Sequence, residues 1–264
     1  MPTDRNPPSA RDRQARIAAL IEESSYVRVS ELSDAFGVSG VTIRADLEAL
    51  ERRGIVRRVR GGATGGYGLR ERPFEEVRTH AAEQKARIAK AALRDVEPGM
   101  TLMLDVGTTT AAIGYELLKR DDLHDLTVVT SGLTIAIALE PALDRITVVL
   151  TGGTLRRLQH SLVPPLAETV LDRVRADVAF VGCNGVDGVA GVTNINLPET
   201  EVKRRMIAAS GRTVVVADSS KLGVAHLGLV AQIGSIDTLI TDTDTRQEQL
   251  DELRENGCGR IVEA

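Results

Sequence analysis

The sequence has no tryptophan, and three tyrosines and three phenylalanines are its only aromatics. A core without many rings must be assembled from Val, Ile, Leu and Ala, which the 42% hydrophobic content of the 264 residues supplies. The same scarcity removes the stacking platforms of a single-strand nucleic-acid binder. Cys183 and Cys258 are the only cysteines, too few for a disulfide framework and in keeping with a reducing compartment. His80, His124, His160 and His226 lie far apart and show no ligand spacing with each other or with cysteine, so neither a zinc site nor any other metal or cofactor is expected. No apolar run reaches the roughly 18 residues of a membrane span, and residues 1–13 are polar, without the apolar stretch of a secretory signal. The expectation is a soluble cytoplasmic protein with no membrane partner. Gly-x-x-x-x-Gly-Lys-Ser/Thr is missing, and so is Gly-x-Gly-x-x-Gly directly after a strand, which leaves nucleoside triphosphate and dinucleotide folds without support.

What is present divides in two, as the length suggests. The formal net charge is −4, yet residues 1–60 hold 11 arginines against 9 acids. A small basic head on a larger acidic body suits a DNA-binding module joined to something else, although a charge run alone is as compatible with a solvated face. Within the head, Ile17, Leu20 and Ile21 place a helix over Asp12–Glu23. Tyr26–Val29 alternates as a strand does. Ser30 is the expected N-cap of a helix Glu31–Phe36 that packs Leu32, Ala35 and Phe36 inward, with Gly37 as its stop. Ser39 caps a third helix with the apolar stripe Ile43, Leu47 and Leu50, closed by Gly54. The Gly37-Val38-Ser39 connection is the tight turn of a helix-turn-helix.

At 100° per residue, a third helix with Ile43 inward turns Val41, Ala45, Glu48 and Arg52 outward and puts Thr42 and Arg44 on the flanks. The candidates to meet a major groove are therefore Ser39, Val41, Thr42, Arg44 and Ala45. Arg44 can grip a guanine edge or a phosphate, and Thr42 a phosphate or a thymine methyl. The segment Ile55-Val-Arg57-Arg58-Val-Arg60-Gly-Gly then reads as a β wing whose arginines hold phosphates, while Arg52 and Arg53 read as solvated charge.

Val38-Ser39-Gly40-Val41-Thr42-Ile43-Arg44-Ala45-Asp46-Leu47, followed by Leu50, Gly54 and Arg57…Gly61-Gly62-Ala63, resembles the DeoR-type winged helix-turn-helix. Two departures accompany the resemblance. Ala45 stands where the family usually has a second arginine, which alters DNA contact rather than folding, and Arg60 stands where it tends to have histidine before the glycine pair.

Residues 61–73 contain five glycines and a proline and read as a hinge, and Phe74–Leu93 follows as a charged helix, either a dimer element or an ordinary packing helix. The body then repeats one theme, a buried apolar run ending in Gly, Ser or Thr. The runs Thr101–Val106, Leu126–Val129, Ile146–Leu150, Val178–Val181, Val214–Ala217 and Thr238–Ile240, separated by helical patterns such as Ala111–Lys119, indicate a parallel α/β sheet with helices on both faces. Ligands of such sheets bind beyond the carboxyl ends of the strands. Gly107, Thr108, Thr109 and Thr110 open a helix there, so backbone N–H groups and the helix dipole favour a phosphate. Ser131, Gly152 and Gly153 end neighbouring strands. Asp105, Asn184, Glu201, Lys203, Asp218 and Lys221 can surround the ligand, carboxylates and amides suiting sugar hydroxyls and ammonium groups suiting a phosphate. Any single loop of this kind is better explained by turn chemistry than by function; the number of them carries the reading. Cys183 reads as a small lining residue without a partner to activate it.

The stretches Leu104-Asp-Val-Gly-Thr-Thr-Thr, Thr151-Gly-Gly-Thr, Ala179–Asp187, Glu199–Met206 and Val216–Gly223 resemble the DeoR C-terminal sensor domain, and a Pro164-Pro165 pair replaces the family's usual Gly-Pro. The resemblance implies an α/β chain in which an N-terminal winged helix-turn-helix (10–65) is joined by a linker and connecting helix (66–95) to a parallel-sheet effector domain (96–264) related to ribose-phosphate isomerase and coenzyme A transferase folds. It further implies a non-enzymatic regulator, usually a repressor of carbohydrate catabolism, that binds double-stranded operator DNA as a homo-dimer or homo-tetramer and is released by a phosphorylated sugar. The alternative from another class is a sugar-phosphate isomerase that moves protons with Asp187, Glu201 or Lys203.

Overall fold

The computed structural model describes residues 9–24, 26–52, 55–59, 61–65 and 71–264. The chain separates into two compact units, Met1–Arg70 and Glu71–Ala264.

The head begins with α1 (Ala10–Ser24), two residues ahead of the expected start, because the Ser9 hydroxyl accepts from the Asp12 N–H at 3.2 Å and caps the helix. Strand β1 (Tyr26–Arg28) leads directly into α2 (Val29–Phe36). Ser30 is not the N-cap. Arg28 holds that position, and the Glu31 carboxylate reaches back to accept its N–H at 2.9 Å, which moves the helix start upstream. Ala35 is exposed rather than packed, since the buried stripe of α2 is Leu32 and Phe36, one helical turn apart. Gly37 closes the helix at φ +63°, a left-handed conformation that costs glycine nothing. Helix α3 (Gly40–Arg52) then buries Ile43, Leu47 and Leu50. Strands β2 (Val56–Val59) and β3 (Gly62–Gly65) complete a three-stranded antiparallel sheet in the order β1-β3-β2. Gly54, the expected stop, and Arg60 lie outside the described residues. Ile17, Ile21, Leu32, Phe36, Ile43 and Leu47 lead one closed core.

The body opens with α4 (Phe74–Thr79) and α5 (Ala82–Ala92), not with one helix over Phe74–Leu93. Ala81 interrupts them at φ +49°, and the Lys85 ammonium donates to the carbonyls that the break frees, Val77 at 2.7 Å and His80. Phe74, Ile88, Ala89 and Leu93 of this part of the expected connector pack into the body's core; residues 66–70 lie outside the described set.

Next come β4 (Thr101–Leu104), α6 (Thr108–Leu117), β5 (Leu126–Thr130), α7 (Leu133–Ala138) and β6 (Ile146–Leu150). A hairpin of β7 (Thr154–Arg156) and β8 (Ser161–Val163) follows, then the cis-linked Pro164-Pro165, α8 (Leu166–Leu171) and β9 (Val178–Val181). Strands β10 (Gly185–Asp187) and β11 (Gly191–Asn194) precede α9 (Leu197–Ala208), β12 (Thr213–Val216) and β13 (Gly228–Ala231). The chain ends with β14 (Thr238–Thr241), α10 (Gln247–Glu255) and β15 (Arg260–Glu263).

Seven strands form the central sheet in the order β15-β14-β12-β9-β4-β5-β6, every pair parallel. Alternate residues feed two cores: Leu102, Leu104, Val128 and Phe180 face one layer of helices, and Met103, Val129, Ala179 and Val181 the other. Six of these strands coincide with the apolar runs. The seventh, β15, carries Arg260 and Glu263 at a sheet edge, where charge is tolerated and the apolar signal disappears. The hairpin β7–β8 and the antiparallel sheet β10-β11-β13 are additions to the parallel pattern. Among the described residues, no helix is long and apolar enough to cross a membrane, and no cluster of three or more His, Cys, Asp or Glu could hold a metal ion.

Candidate functional site

Among the described residues of the head, the candidates for DNA contact lie on α3 and on the strand after it. On α3, Val41, Arg44 and Ala45 are exposed, as the helical wheel requires. Arg44 makes no ion pair or hydrogen bond among the described residues. The Ser39 hydroxyl is engaged as a cap, accepting from the Thr42 N–H at 3.2 Å and lying 3.0 Å from the Thr42 hydroxyl, so these two residues set the helix start before they touch anything else. Arg57 and Arg58 lie on β2. Arg58 is held by Glu51 at 3.4 Å and Glu48 at 3.9 Å, which leaves it less available to a phosphate than its sequence position suggests. Glu48 also pairs with Arg52. Behind the surface, buried Asp46 on α3 accepts from Arg13 Nε at 2.6 Å and Gln14 Nε2 at 3.0 Å, which fixes α3 to α1. Asp46 carries no DNA contact in the sequence reading; the structure makes it the residue that orients the reading helix.

In the body, β4–β5–β6 progress one way across the sheet and β9–β12–β14–β15 the other. The chain reverses direction between β4 and β9, and the open crevice of a doubly wound sheet lies at such a switch point. Asp105 follows β4 and Gly182 follows β9. The Asp105 carboxylate is fully buried, its Oδ2 accepting from the Gly182 N–H at 3.1 Å and from the ammonium of equally buried Lys203 on α9. Lys203 also donates to the Gly182 carbonyl at 3.1 Å. Asp105 Oδ1 meets no donor among the described residues. Burial pushes the Asp105 carboxyl up to about 6 against the opposing pull of Lys203, with Glu199 adding to the rise.

Beside this floor, Gly107 turns at φ +148° into α6, and the Thr108, Thr109 and Thr110 N–H groups have no acceptor within the helix, whose first bond runs from the Ala111 N–H to the Gly107 carbonyl. Thr110 steadies the turn by donating its hydroxyl to the Gly107 carbonyl at 3.0 Å. After β12, buried Asp218 accepts from the Ser220 N–H at 3.2 Å and caps the short turn that carries half-buried Lys221. Burial alone would raise the Asp218 carboxyl, but Lys221, the Ser220 hydroxyl, Lys85 and His80 together hold it below its ordinary value. Lys85, brought down to about 8 by burial, therefore also faces this group, a residue that the sequence motifs did not assign to the site. Burial pushes the Cys183 thiol up to about 12, which favours its protonated form.

The remaining candidates divide. Ser131 is buried with a hydroxyl that meets no partner among the described residues, at the end of β5. Asn184 turns its side-chain oxygen to the Ile195 N–H at 2.9 Å and so braces the loop after β9. Gly153 is structural, because a Cβ there would sit 2.5 Å from the Val163 carbonyl, whereas Gly152 faces open space. Glu201 is not in the crevice: it pairs with Arg205 at 3.0 Å on the outer side of α9. Two residues apart on a helix lie about 200° apart, so Lys203 and Glu201 cannot both face inward. Glu199, one turn before Lys203, is the buried carboxylate, and it pairs with Arg156, which the sequence motifs missed. Asp187 is also occupied, its Oδ1 accepting from Val189 and Ala190 N–H at 3.0 and 2.8 Å in the turn between β10 and β11.

Comparison with known proteins matches both halves. A family model described as the DeoR-like helix-turn-helix domain covers residues 13–65, and one described as the DeoR C terminal sensor domain covers residues 80–243. The HTH-type transcriptional regulator GlpR of Haloferax volcanii is 36% identical over 90% of this chain and 93% of its own. The putative aga operon transcriptional repressor of Escherichia coli O157:H7 is 34% identical over 95% of this chain and 93% of its own. The glycerol-3-phosphate regulon repressor of Escherichia coli K12 is 29% identical over 86% and 88%. Among solved structures, ribose 5-phosphate isomerase A from Methanocaldococcus jannaschii matches 56% of each chain with a TM-score of 0.41 and 19% identity.

Proposed function

The chain belongs to the DeoR family of transcriptional regulators, and from that premise we propose that it is a cytoplasmic repressor of carbohydrate-catabolism genes that leaves its operator when a phosphorylated sugar occupies the crevice at the ends of β4 and β9. The observation that carries this reading is the pairing of an anion-attracting helix start, Thr108–Thr110, with a carboxylate that has acceptor capacity left over, Asp105. The free N–H groups of α6 and the Lys221 ammonium suit a phosphate, and Asp105, Ser131 and Asn184 suit sugar hydroxyls. Gly107 and Gly152 leave room for close approach. The name of one relative, a glycerol-3-phosphate regulon repressor, supports a small phosphorylated signal.

Val41, Thr42, Arg44 and Ala45 are the residues we assign to base edges, with Arg57 and Arg60 on phosphates and Arg58 joining them by exchanging Glu51 and Glu48 for a phosphate. One winged head buries little surface, so two heads of a homo-dimer or homo-tetramer are required to read a two-fold operator. No isomerase activity is assigned: Asp187 is committed to a turn, Glu201 faces away, and Lys203 is locked to Asp105.

The test is fluorescence anisotropy on DNA from upstream of the protein's own gene, at fixed salt, with and without a panel of sugar phosphates that includes glycerol 3-phosphate. Tight binding reversed by one compound establishes the reading. Binding that is salt-sensitive and indifferent to sequence and to every compound overturns it.

A further inference from the structure

The chain arrives from the DNA-binding head at Glu71, and what holds Glu71 is a single side chain. Arg156, at the end of β7, places Nη2 2.7 Å from Glu71 Oε2 and Nη1 3.4 Å from Oε1, a two-pronged grip. The same guanidinium contacts Glu199 in the first turn of α9. Both carboxylates are nearly buried, with side-chain exposures of 9% for Glu71 and 5% for Glu199. Their situations differ in one respect. Glu199 has a second donor, the Ser161 hydroxyl at 2.5 Å, whereas Arg156 is the only partner of Glu71 among the described residues.

The rest of the hairpin reinforces the clasp. Gln159 donates to the Arg72 carbonyl at 2.6 Å, the Phe74 N–H donates to the Leu158 carbonyl at 2.9 Å, and His160 lies 3.4 Å from Glu75. The other side of the hairpin belongs to the crevice. It follows Gly152-Gly153 directly, and the Leu162 N–H donates to the Ser131 carbonyl at 2.8 Å. Glu199 sits one helical turn before Lys203, the floor of the crevice, and its charge acts on Asp105.

We propose that Glu199, Arg156 and Glu71 form the coupling element that reports occupancy of the crevice to the segment joining the sensor to the DNA-binding head. The inference rests on the anion reading of the crevice given above. An arriving anion adds negative charge beside Asp105 and Glu199. The guanidinium shared by two carboxylates is then drawn towards the crevice, and the carboxylate with no second donor is released. A buried carboxylate without a partner moves to water, and Glu71 takes with it the backbone of Arg72 and Pro73. The two arrangements differ in which carboxylates Arg156 serves, and that difference is what lets a ligand shift the equilibrium between them.

Hydrogen exchange of the full chain separates the possibilities. Wild type, Glu71→Gln and Arg156→Lys are compared with and without saturating inorganic phosphate, following peptides that span 105–112 and 71–79. In wild type, phosphate slows exchange at 105–112 and speeds it at 71–79 by about tenfold, within the range of coupling between sites. In Glu71→Gln, 71–79 already exchange at the phosphate-bound rate and phosphate adds nothing, while protection of 105–112 is unchanged. Arg156→Lys keeps the charge but not the fork, and it falls between the two. Protection at 105–112 without any response at 71–79 in wild type makes Arg156 a static brace and overturns the proposal, as does a Glu71→Gln chain that still responds like wild type. Phosphate that protects neither peptide overturns the anion reading and the coupling with it; the silent peptide tells the two failures apart.

Discussion

In the head, the buried Asp46 carboxylate has a donor on each oxygen, Arg13 on one and Gln14 on the other, whereas Asp105 in the body receives Lys203 and Gly182 on the same oxygen and leaves the other without a donor. Both are buried ion pairs between distant parts of the chain, and they do different work. A carboxylate satisfied on both sides fastens one helix to another and offers nothing further. One satisfied on a single side, at the end of β4, has acceptor capacity left over. The residues we propose for recognition divide accordingly, those for DNA exposed on α3 and those for the effector at the strand ends of the body.

The largest effect should come from removing one cation of each pair. Lys203→Met strands a buried carboxylate and should destabilise the body by about 3–5 kcal/mol at pH 7. Arg13→Met leaves Gln14 in place and should cost the head less, about 2 kcal/mol. Denaturant midpoints of the two units check the order, and a reversed order would break the contrast between the open and the closed pair.

Titration sharpens the same comparison. The Asp105 carboxyl is raised to about 6 in the folded chain, above its unfolded value, so between those two values the folded state binds the extra proton. This group's contribution is therefore present at acid pH and is lost as pH rises towards 6 and through it. Asp105→Asn should remove that part of the pH slope in chemical denaturation; an unchanged slope would place the titration elsewhere.

Smaller effects fall on function. Arg44→Ala should weaken specific operator binding by about 1–3 kcal/mol while leaving the thermal midpoint and effector binding as they are. Normal operator affinity in that variant would remove Arg44 from the interface. Lys221→Ala should blunt the effector response several-fold and leave DNA affinity intact, and a normal response would reduce Lys221 to the partner of Asp218. The smallest change is Ser39→Ala, which removes the cap of α3 and should cost the head about 1 kcal/mol, read as a lower melting temperature.

The exposed half of this design was legible in the sequence because helical periodicity reports which side of α3 is dry. The parallel sheet was legible because strands buried on both faces read as apolar runs with small residues at their ends. What periodicity could not show is where chains cross. Arg156 belongs to a short hairpin with no apolar signature, and its partners lie 85 and 43 residues away in sequence. The break at Ala81 carries no glycine or proline to announce it, since Lys85 supplies the missing donor from the next helix. Helical spacing alone separates Glu201 from Lys203 by about 200° and sets Glu199 on the side of Lys203.

The strand order has a further meaning when the chain is considered as it is being made. Strand β4 lies between β5, which follows it closely, and β9, which is synthesised much later, and Lys203 comes later still. The described core of the head ends at Ala63 and is synthesised long before. At ribosomal speed the interval between a complete reading head and a complete crevice floor is on the order of ten seconds. For that time each nascent molecule carries a folded head while the strand ends we propose as its effector site are still being assembled.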